Sequence, residues 1–130
     1  MSDAAPNRKV LIADDNPQML ELLEAYVEPL GVRVETAGDG QATLAAVDRD
    51  PPDLILLDVM MPRHSGFEVC RRLKESDRHR AIPIVMVTAL NEVGDIERAR
   101  ECGADEFVSK PVNKIELLAT ITRLLKAAAT

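Results

Sequence analysis

Near its middle the chain reads Leu54-Ile55-Leu56-Leu57-Asp58-Val59-Met60-Met61-Pro62, an aliphatic run followed by a carboxylate. Prolines bound this run on both sides, so it is too short for a helix and is typical of a strand covered on both faces. Such strands belong to parallel sheets, in which ligands bind in the crevice outside the carboxyl ends of the strands. The run therefore predicts that Asp58 lies at a binding edge and not in the packed interior.

The composition predicts a single domain with an aliphatic core. The chain has 130 residues, of which 46% are hydrophobic and only 2% are aromatic. A domain of this size can bury a real core, but it has no aromatic platform for stacking bases. The formal net charge of −6 argues against binding of nucleic acid or anionic membranes, because phosphate contacts need clustered Lys and Arg. Basic residues concentrate between positions 63 and 80, where a solvated helix face explains them better than a docking patch.

The cysteines and the chain termini bear on the compartment. Cys70 and Cys102 lie on different predicted helices, without C-x-x-C spacing, and we interpret them as buried thiols of a reducing compartment. Residues 1–8 form a polar tail without the apolar core of a signal peptide, and no apolar run approaches membrane-spanning length. We expect a cytoplasmic protein without a membrane partner, with its domain at 9–127 and a short tail at 128–130.

Apolar strands alternate with helices along the whole chain. The strands are predicted at 9–13, 33–37, 54–57, 84–88 and 106–109. The intervening helices open at Asn16-Pro17, Asp39-Gly40, Ser65 with Glu68 three residues on, about residue 92, and Asn113 with Glu116. The helix over about 92–102 contains Gly94 and few apolar residues, so we expect it to be the least stable. The alternation predicts one doubly wound α/β domain with parallel strands joined by right-handed crossovers. For its sheet we expect the flavodoxin-like strand order 2-1-3-4-5.

Polar residues follow four of the five predicted strands. They are Asp14-Asp15 after the first, Asp58 after the third, Thr88 at the end of the fourth and Lys110 after the fifth. The first and third strands flank the switch point of this strand order, so the three acids should be neighbours. Two carboxylates about 4 Å apart repel by roughly 4 kcal/mol at an effective dielectric constant of 20, so three need a cation or a proton. Oxygen ligands favour a hard ion, and Mg²⁺ fits best because it binds through few carboxylates and keeps several waters.

Thr88 and Lys110 indicate a reaction in addition to a metal site. A cation and a hydroxyl beside a metal-held carboxylate form a pocket for phosphoryl oxygens during in-line transfer. Asp58 is then the nucleophile and would form an aspartyl phosphate. Each residue alone is ordinary loop chemistry, and Asp14 or Asp15 could be an alternative N-cap to Asn16. The prediction depends on their joint occurrence.

These residues resemble the receiver domains of bacterial two-component response regulators, of the chemotaxis-regulator type. The resemblance covers residues 9 to about 126. Its marks are Asp14-Asp15, the block 58–62 with Gly66, Thr88-Ala89 and Lys110-Pro111. The sequence is also similar in style to receivers that precede diguanylate cyclase domains. No effector domain follows the fifth helix, so we expect a single-domain regulator or the receiver of a longer protein.

The resemblance implies a signalling function and a set of residue roles. Asp58 would accept a phosphoryl group from the phosphohistidine of a sensor histidine kinase or a histidine phosphotransfer protein. Mg²⁺ would be held by Asp15, Asp58 and the backbone carbonyl of Met60, with Asp14 acting partly through water. Lys110 would contact the phosphoryl group, and the Lys110-Pro111 bond is expected to be cis. Such a domain catalyses only its own phosphorylation and dephosphorylation.

In this family the switch runs through a hydroxyl, here Thr88, and an aromatic residue three positions before the lysine, here Phe107. Phe107 keeps the ring without a hydroxyl, so ring burial alone would report the state. Shifting an equilibrium from 1:99 to 99:1 takes about 5.5 kcal/mol of differential interaction, so the fourth helix or a dimer partner is expected to contribute.

A homodimer through the fourth helix, fifth strand and fifth helix is a further expectation. The fifth helix should bury Ile115, Leu118, Ile121 and Leu125. Leu117 and Leu124 would then leave an apolar edge exposed, although core packing explains these two residues at least as well.

The chain departs from the family pattern in two places beside the phosphoryl site. Met60 and Leu90 are apolar where some relatives place polar groups that handle the attacking water, so we expect a longer-lived phosphorylated state than in chemotaxis-type receivers. Arg63-His64-Ser65 replaces the common Gly-Met-Asp or Gly-Met-Asn. This second departure bears on the flexibility of the loop and leaves the chemistry unchanged.

Three other functions compete with this interpretation. A phosphohydrolase of the haloacid-dehalogenase type would need an acid two residues after the nucleophile, where this chain has Met60. A flavodoxin-like cofactor carrier would need a loop after the first strand that cradles phosphate, which Asp14-Asp15 would repel. A phosphorylation-independent interaction module on the same fold is the third alternative.

Overall fold

The computed structural model describes residues 7–89 and 93–129. Strands and helices alternate throughout these residues. The strands are β1 Lys9–Ala13, β2 Arg33–Ala37, β3 Leu54–Leu57, β4 Ile84–Thr88 and β5 Glu106–Ser109. The helices are α1 Pro17–Val27, α2 Gly40–Arg49, α3 Gly66–Glu75, α4 Val93–Glu101 and α5 Lys114–Ala129, and a 3-10 turn, Glu28–Leu30, follows α1. The predicted strands are confirmed.

The strands form one parallel sheet in the order β2-β1-β3-β4-β5, which confirms the predicted topology. Every residue of β3 is buried, because helices cover both faces of the sheet. Ile55 and Leu57 pack into a core with residues of α2 and α3, whereas Leu54 and Leu56 pack into a second core with residues of α1 and α5. Full burial of such a side chain contributes about 1.5–3 kcal/mol, so the central strand is a main source of stability.

Side-chain caps begin the helices at the predicted positions. In each cap a side-chain oxygen accepts from a backbone N–H: Asn16 from Gln18 at 2.9 Å, Asp39 from Ala42 at 2.7 Å, Ser65 from Glu68 at 3.3 Å and Asn113 from Glu116 at 2.9 Å. Each cap satisfies a backbone donor that has no partner inside its helix. The helix that was predicted from residue 92 is observed as α4, and residues 90–92 lie outside the described part of the chain.

The predicted buried face of α5 is partly wrong. Ile115 is 80% exposed, whereas Leu117 is fully buried and Leu124 is 9% exposed. Leu117, Ile121 and Leu124 recur at helical spacing and share one face, and Ile115 lies two residues from that stripe and so points away from it. The apolar edge expected at Leu117 and Leu124 is therefore absent, and core packing explains both residues. None of the described helices has the length and apolar character needed to cross a bilayer.

Cys70 and Cys102 are buried free thiols, as predicted, but they are neighbours in space. The Cys70 thiol donates a hydrogen bond of 3.4 Å to the backbone carbonyl of Cys102 and thereby links α3 to the end of α4. Burial raises the pKa of Cys70 to about 12. Because the thiolate is the reactive form, burial makes Cys70 a weak nucleophile at neutral pH.

Some basic side chains between positions 63 and 80 form hydrogen bonds and ion pairs within the domain. Lys74 Nζ lies 2.8 Å from the carbonyl oxygen of Ile82 and 3.0 Å from a carboxylate oxygen of Asp105. Arg72 lies 2.9 Å from Glu68 one helical turn away on α3. These contacts agree with a helix surface more than with a docking patch.

The ion pairs of Lys9, at the start of β1, are expected to stabilise the fold at neutral pH and to weaken in acid. Lys9 is only 5% exposed, and its ammonium lies 2.6 Å from Glu35 on β2 and 2.9 Å from Asp50. The hydrogen bond from Lys9 lowers the pKa of Glu35 below its ordinary 4.5. A lowered carboxyl pKa stabilises the fold above the unfolded-state value, and this stabilisation is lost as pH falls through the folded-state value.

We expect Glu35→Gln to lower the free energy of unfolding by about 1–2 kcal/mol at pH 7, because a charged hydrogen bond is lost at a buried ammonium. Urea unfolding at pH 7 and pH 3 should show this difference shrinking in acid. Glu24→Gln, at an exposed position on α1, is the control and should change little at either pH. A difference between wild type and Glu35→Gln that is the same at both pH values would contradict the prediction.

Candidate functional site

Three acidic side chains converge at the carboxyl edge of the sheet. Asp14 and Asp15 follow β1, and Asp58 follows the adjacent β3. One carboxylate oxygen from each lies within 4.8 Å of the others. Asp14 is 1% exposed and Asp58 5% exposed, whereas Asp15 faces solvent. The structure thus brings together the three acids that the sequence predicted to be neighbours.

Backbone hydrogen bonds hold the two buried acids beyond the ends of their strands. The N–H of Asp14 donates to the carbonyl of Ala37 at 3.0 Å, and the N–H of Asp58 donates to that of Ala13 at 2.9 Å. Both bonds continue the pairing of the parallel strands by one residue. The backbone positions of these acids are therefore determined by the sheet itself.

Lys110 enters this acidic cluster from the end of β5. Its Nζ lies 3.1 Å from Asp14 Oδ2 and 3.7 Å from Asp58 Oδ1. Its own N–H donates to the carbonyl of Thr88 at 2.9 Å, and the Lys110-Pro111 bond is cis, as predicted. The ammonium therefore bridges the two buried carboxylates.

The electrostatics of Asp58 favour a nearby cation. Burial raises the pKa of Asp58 above its ordinary 3.8, and the charge of Asp14 raises it further. Lys110 and a hydrogen bond from the backbone of Met60 act in the opposite direction without overcoming these effects. The cluster offers only oxygen ligands, which suit a hard cation such as Mg²⁺ better than a soft one. The donor set therefore fits the metal that the sequence predicted.

Thr88 and Phe107 lie on neighbouring strands near the cluster. Thr88 is fully buried at the end of β4, in register with Ser109 of β5. Phe107 is half-buried, packs against the core and lines a cavity of about 340 Å³ between α4 and β5. The ring therefore has space beside it. Leu90, the other residue predicted to flank the phosphoryl site, lies outside the described residues.

The loop between β3 and α3 contains a feature that the sequence did not reveal. Arg63 and His64 have φ angles of 65° and 147°, a region that favours glycine. Such conformations cost of order 1–3 kcal/mol each and persist only where the surroundings impose them. A Cβ atom on Gly40, the first residue of α2, would collide with the carbonyl oxygen of His64 and lie 2.6 Å from its Cβ. In the sequence, this close packing was indicated by Gly40 itself, because glycine does not favour helix formation and so needs another reason to stand at the start of α2.

Comparison with known proteins identifies the family. The family model for the response regulator receiver domain matches residues 10–122. The chain belongs to this family. It is 43% identical over 118 residues to the response regulator PleD of Caulobacter vibrioides. The aligned residues make up 91% of this chain and 26% of that protein. The chain spans about a quarter to about half of the length of the curated relatives it matches.

Solved receiver structures share both the fold and part of the sequence. The receiver domain of a signal transduction histidine kinase from Syntrophus aciditrophicus has a TM-score of 0.86 and 35% identity, covering 92% of this chain and 91% of that one. The BeF3-activated DrrB receiver domain has a TM-score of 0.83 and 32% identity, with 92% and 97% covered. By family, this receiver domain is thus a component of two-component signalling.

Proposed function

We propose that this receiver domain is a phosphorylation-dependent switch that accepts a phosphoryl group on Asp58 and then changes the surface it offers to partners. The observation that carries the proposal is the cluster of three acids within 4.8 Å, bridged by the Lys110 ammonium. A structural salt bridge would need one acid beside Lys110, whereas phosphoryl transfer needs a nucleophile, a metal site and a neutralising cation together. The DrrB receiver domain, to which the chain is similar, has been solved in a BeF3-activated form.

Each residue of the cluster has a defined part in this proposal. A carboxylate oxygen of Asp58 attacks the phosphorus, and the bond from phosphorus to a histidine nitrogen of the donor breaks with its electron pair left on the imidazole. Asp14, Asp15, Asp58 and the Met60 carbonyl would hold Mg²⁺, which neutralises phosphoryl charge when bound. Lys110 Nζ would move from Asp14 and Asp58 to a phosphoryl oxygen. The donor would be a sensor histidine kinase or a histidine phosphotransfer protein.

The response would pass through Thr88 and Phe107. The Thr88 hydroxyl would approach the phosphoryl group, and the Phe107 ring would turn inward and change the face formed by α4, β5 and α5. Homodimerisation through that face stays a prediction, as do the domain limits at 9–127 and a cytoplasmic location. Nucleic-acid binding by this domain is not part of the proposal, because its net charge is −6.

Intact mass after incubation with acetyl phosphate, with and without Mg²⁺, tests the proposal. We expect a Mg²⁺-dependent gain of one phosphoryl group, and borohydride reduction followed by peptide mapping should locate it at Asp58. No gain by the folded protein in the presence of Mg²⁺ would favour the phosphorylation-independent interaction module instead.

The exposed Met60 predicts a long-lived phosphorylated state. Its side chain is 62% exposed two residues after Asp58, and it carries no group that could orient an attacking water. After removal of acetyl phosphate, decay followed by intact mass should be slower than that of a chemotaxis-type receiver measured alongside. Met60→Asn should accelerate decay by about three- to tenfold, because one neutral hydrogen bond to the attacking water contributes about 0.5–1.5 kcal/mol.

Leu22→Asn is the matched control for this prediction. It places the same amide at another exposed apolar position, on α1, and should leave the decay rate unchanged. Decay as fast as that of the chemotaxis-type receiver, without a phosphatase, would sink the prediction.

A further inference from the structure

The loop of residues 58–66, here called the phosphoacceptor loop, is held at the N-terminus of α2 by hydrogen bonds and an ion pair. The N–H of Gly40 donates to the carbonyl of Pro62 at 3.2 Å. Arg63 Nη1 donates to Gln41 Oε1 at 3.3 Å, and Arg63 Nε lies 3.8 Å from Asp39 Oδ2. The first residues of α2 and the cap before them therefore all contact this loop.

The part of the loop that contacts α2 includes the two residues with positive φ angles. Arg63 and His64 adopt φ angles of 65° and 147°, and the backbone of His64 occupies the space where a side chain on Gly40 would project. The two segments are in close contact, because a Cβ on Gly40 would lie 2.6 Å from the Cβ of His64. Non-glycine residues keep such angles only where neighbours impose them, and the start of α2 contacts Pro62, Arg63 and His64.

The end of β2, which leads into this helix, is hydrogen-bonded to the other half of the acidic cluster. Ala37, three residues before Gly40, accepts the hydrogen bond from the N–H of Asp14 at 3.0 Å. Within the loop, Val59 accepts from the N–H of Met61 at 3.1 Å and from that of Gly66 at 2.9 Å. The segment 37–41 thus connects the backbone of Asp14 on one side with the loop that carries Asp58 and Met60 on the other.

We infer that residues 39–41 at the start of α2 are positioning residues for the phosphoryl site: by holding Arg63 and His64 in the positive-φ conformation, they set the relative places of Asp14, Asp58 and the Met60 carbonyl. The inference rests on the proposed function, which assigns these groups to Mg²⁺. It accounts for the positive φ angles of Arg63 and His64, which stand where the family commonly has Gly-Met. None of residues 39–41 belongs to the cluster of Asp14, Asp15 and Asp58.

Gly40→Ala and Gly38→Ala form a matched pair of variants for the test. A Cβ on Gly40 meets the His64 backbone, whereas a Cβ on Gly38 has nothing within 4 Å. Calorimetric titration with MgCl₂ should show affinity at least tenfold weaker for Gly40→Ala and within twofold of wild type for Gly38→Ala. Equal Mg²⁺ affinities for a folded Gly40→Ala and for Gly38→Ala would overturn the inference.

His64→Gly tests whether the shape of the loop affects Mg²⁺ affinity independently of the stability of the fold. It provides the test if Gly40→Ala does not fold. Glycine adopts a φ of 147° without strain, so urea unfolding should show equal or greater stability. The loosened loop should nevertheless bind Mg²⁺ three- to tenfold more weakly. A purely structural role predicts unchanged Mg²⁺ affinity in this variant, and that result would refute the inference.

The calorimetric readout keeps the inference distinct from the proposed function. A wild-type domain that binds Mg²⁺ but gains no phosphoryl group would count against the proposed function, and the ordering of Mg²⁺ affinities among the variants would still decide the inference. A wild-type domain that binds no Mg²⁺ would overturn both.

Discussion

Asparagine in place of Asp58 is expected to abolish phosphoryl transfer to this receiver domain. The amide oxygen of asparagine is a far weaker nucleophile than a carboxylate, and Asp14 would not replace it, because Asp14 is already engaged by Lys110 at 3.1 Å and by the Asn16 N–H at 2.9 Å. Acetyl phosphate with Mg²⁺ should therefore give no mass gain. Asp77→Asn makes the same chemical change at a side chain that is 91% exposed, and it should gain the phosphoryl group fully.

The same replacement should make the metal-free domain more stable. Asp58 is buried beside Asp14, and two carboxylates about 4 Å apart repel by roughly 4 kcal/mol at an effective dielectric constant of 20, which Lys110 offsets in part. We expect the free energy of unfolding to rise by about 1–2 kcal/mol, the part of that repulsion left after this offset. The raised pKa of Asp58 has the matching sign: the wild type loses stability as pH rises above 3.8, and the variant lacks this loss.

Adding Mg²⁺ should reverse the order of the two proteins. A ligand that binds only the folded state stabilises it by about 2.7 kcal/mol at a hundred times its dissociation constant, and the variant has lost one of the ligands. Urea unfolding in EDTA and in excess MgCl₂ measures both effects. If Asp58→Asn is less stable than wild type in EDTA, the three acids do not repel one another as the structure indicates.

Alanine in place of Gly66 is expected to damage both the fold and the site. Gly66 is buried at the start of α3, where an added Cβ would collide with the carbonyl oxygen of Asp58 and lie 2.8 Å from the Cα of Val59. Both neighbours are backbone atoms, which cannot rotate away as a side chain would. Overpacking of this kind costs about 1–3 kcal/mol, and we expect the upper part of that range.

The damage should extend to phosphorylation, because relief of the collision moves Asp58 itself. We expect at least tenfold slower phosphorylation by acetyl phosphate in the fraction that folds, in line with the large cost of small misplacements of a reacting group. Gly94→Ala on α4 is the matched control, since nothing lies within 4 Å of its added Cβ. That variant should be more stable by about 1 kcal/mol, through helix propensity alone. Equal stabilities for the two alanine variants would show that Gly66 is not in close contact with the phosphoacceptor backbone.

Much of this molecule follows from short-range signals. The proline-bounded run before Asp58 predicted a strand covered on both faces, and every residue of β3 is buried. Asn16 with Pro17 predicted the start of α1, because an N-cap side chain and a proline at the first helical position act within one turn. The acids at the ends of β1 and β3 could be predicted as neighbours once the flavodoxin-like strand order was adopted, since its switch point lies between these two strands.

Other features needed contacts that the sequence does not display. The helical period of α5 was readable, but only the packing shows that Leu117 and Leu124 face the core and Ile115 faces solvent. Cys70 and Cys102 stand far apart in the chain, and the fold brings the thiol of one to the carbonyl of the other. Local sequence does not distinguish one face of α5 from another, nor one partner for Cys70 from another. In both cases contacts with residues distant in sequence decide the outcome.

The amino-acid sequence alone therefore determines the order of elements, the parallel sheet and the gathering of Asp14, Asp58 and Lys110 at one edge, because periodicity, capping and strand termini are local properties. The shape of the phosphoacceptor loop is different. Nothing near Arg63 and His64 in sequence favours positive φ angles, and the loop takes them where Gly40 leaves room for its backbone. That conformation exists only once α2 and the end of β3 have packed together, since a strained backbone is held by its tertiary neighbours and not by its own preferences.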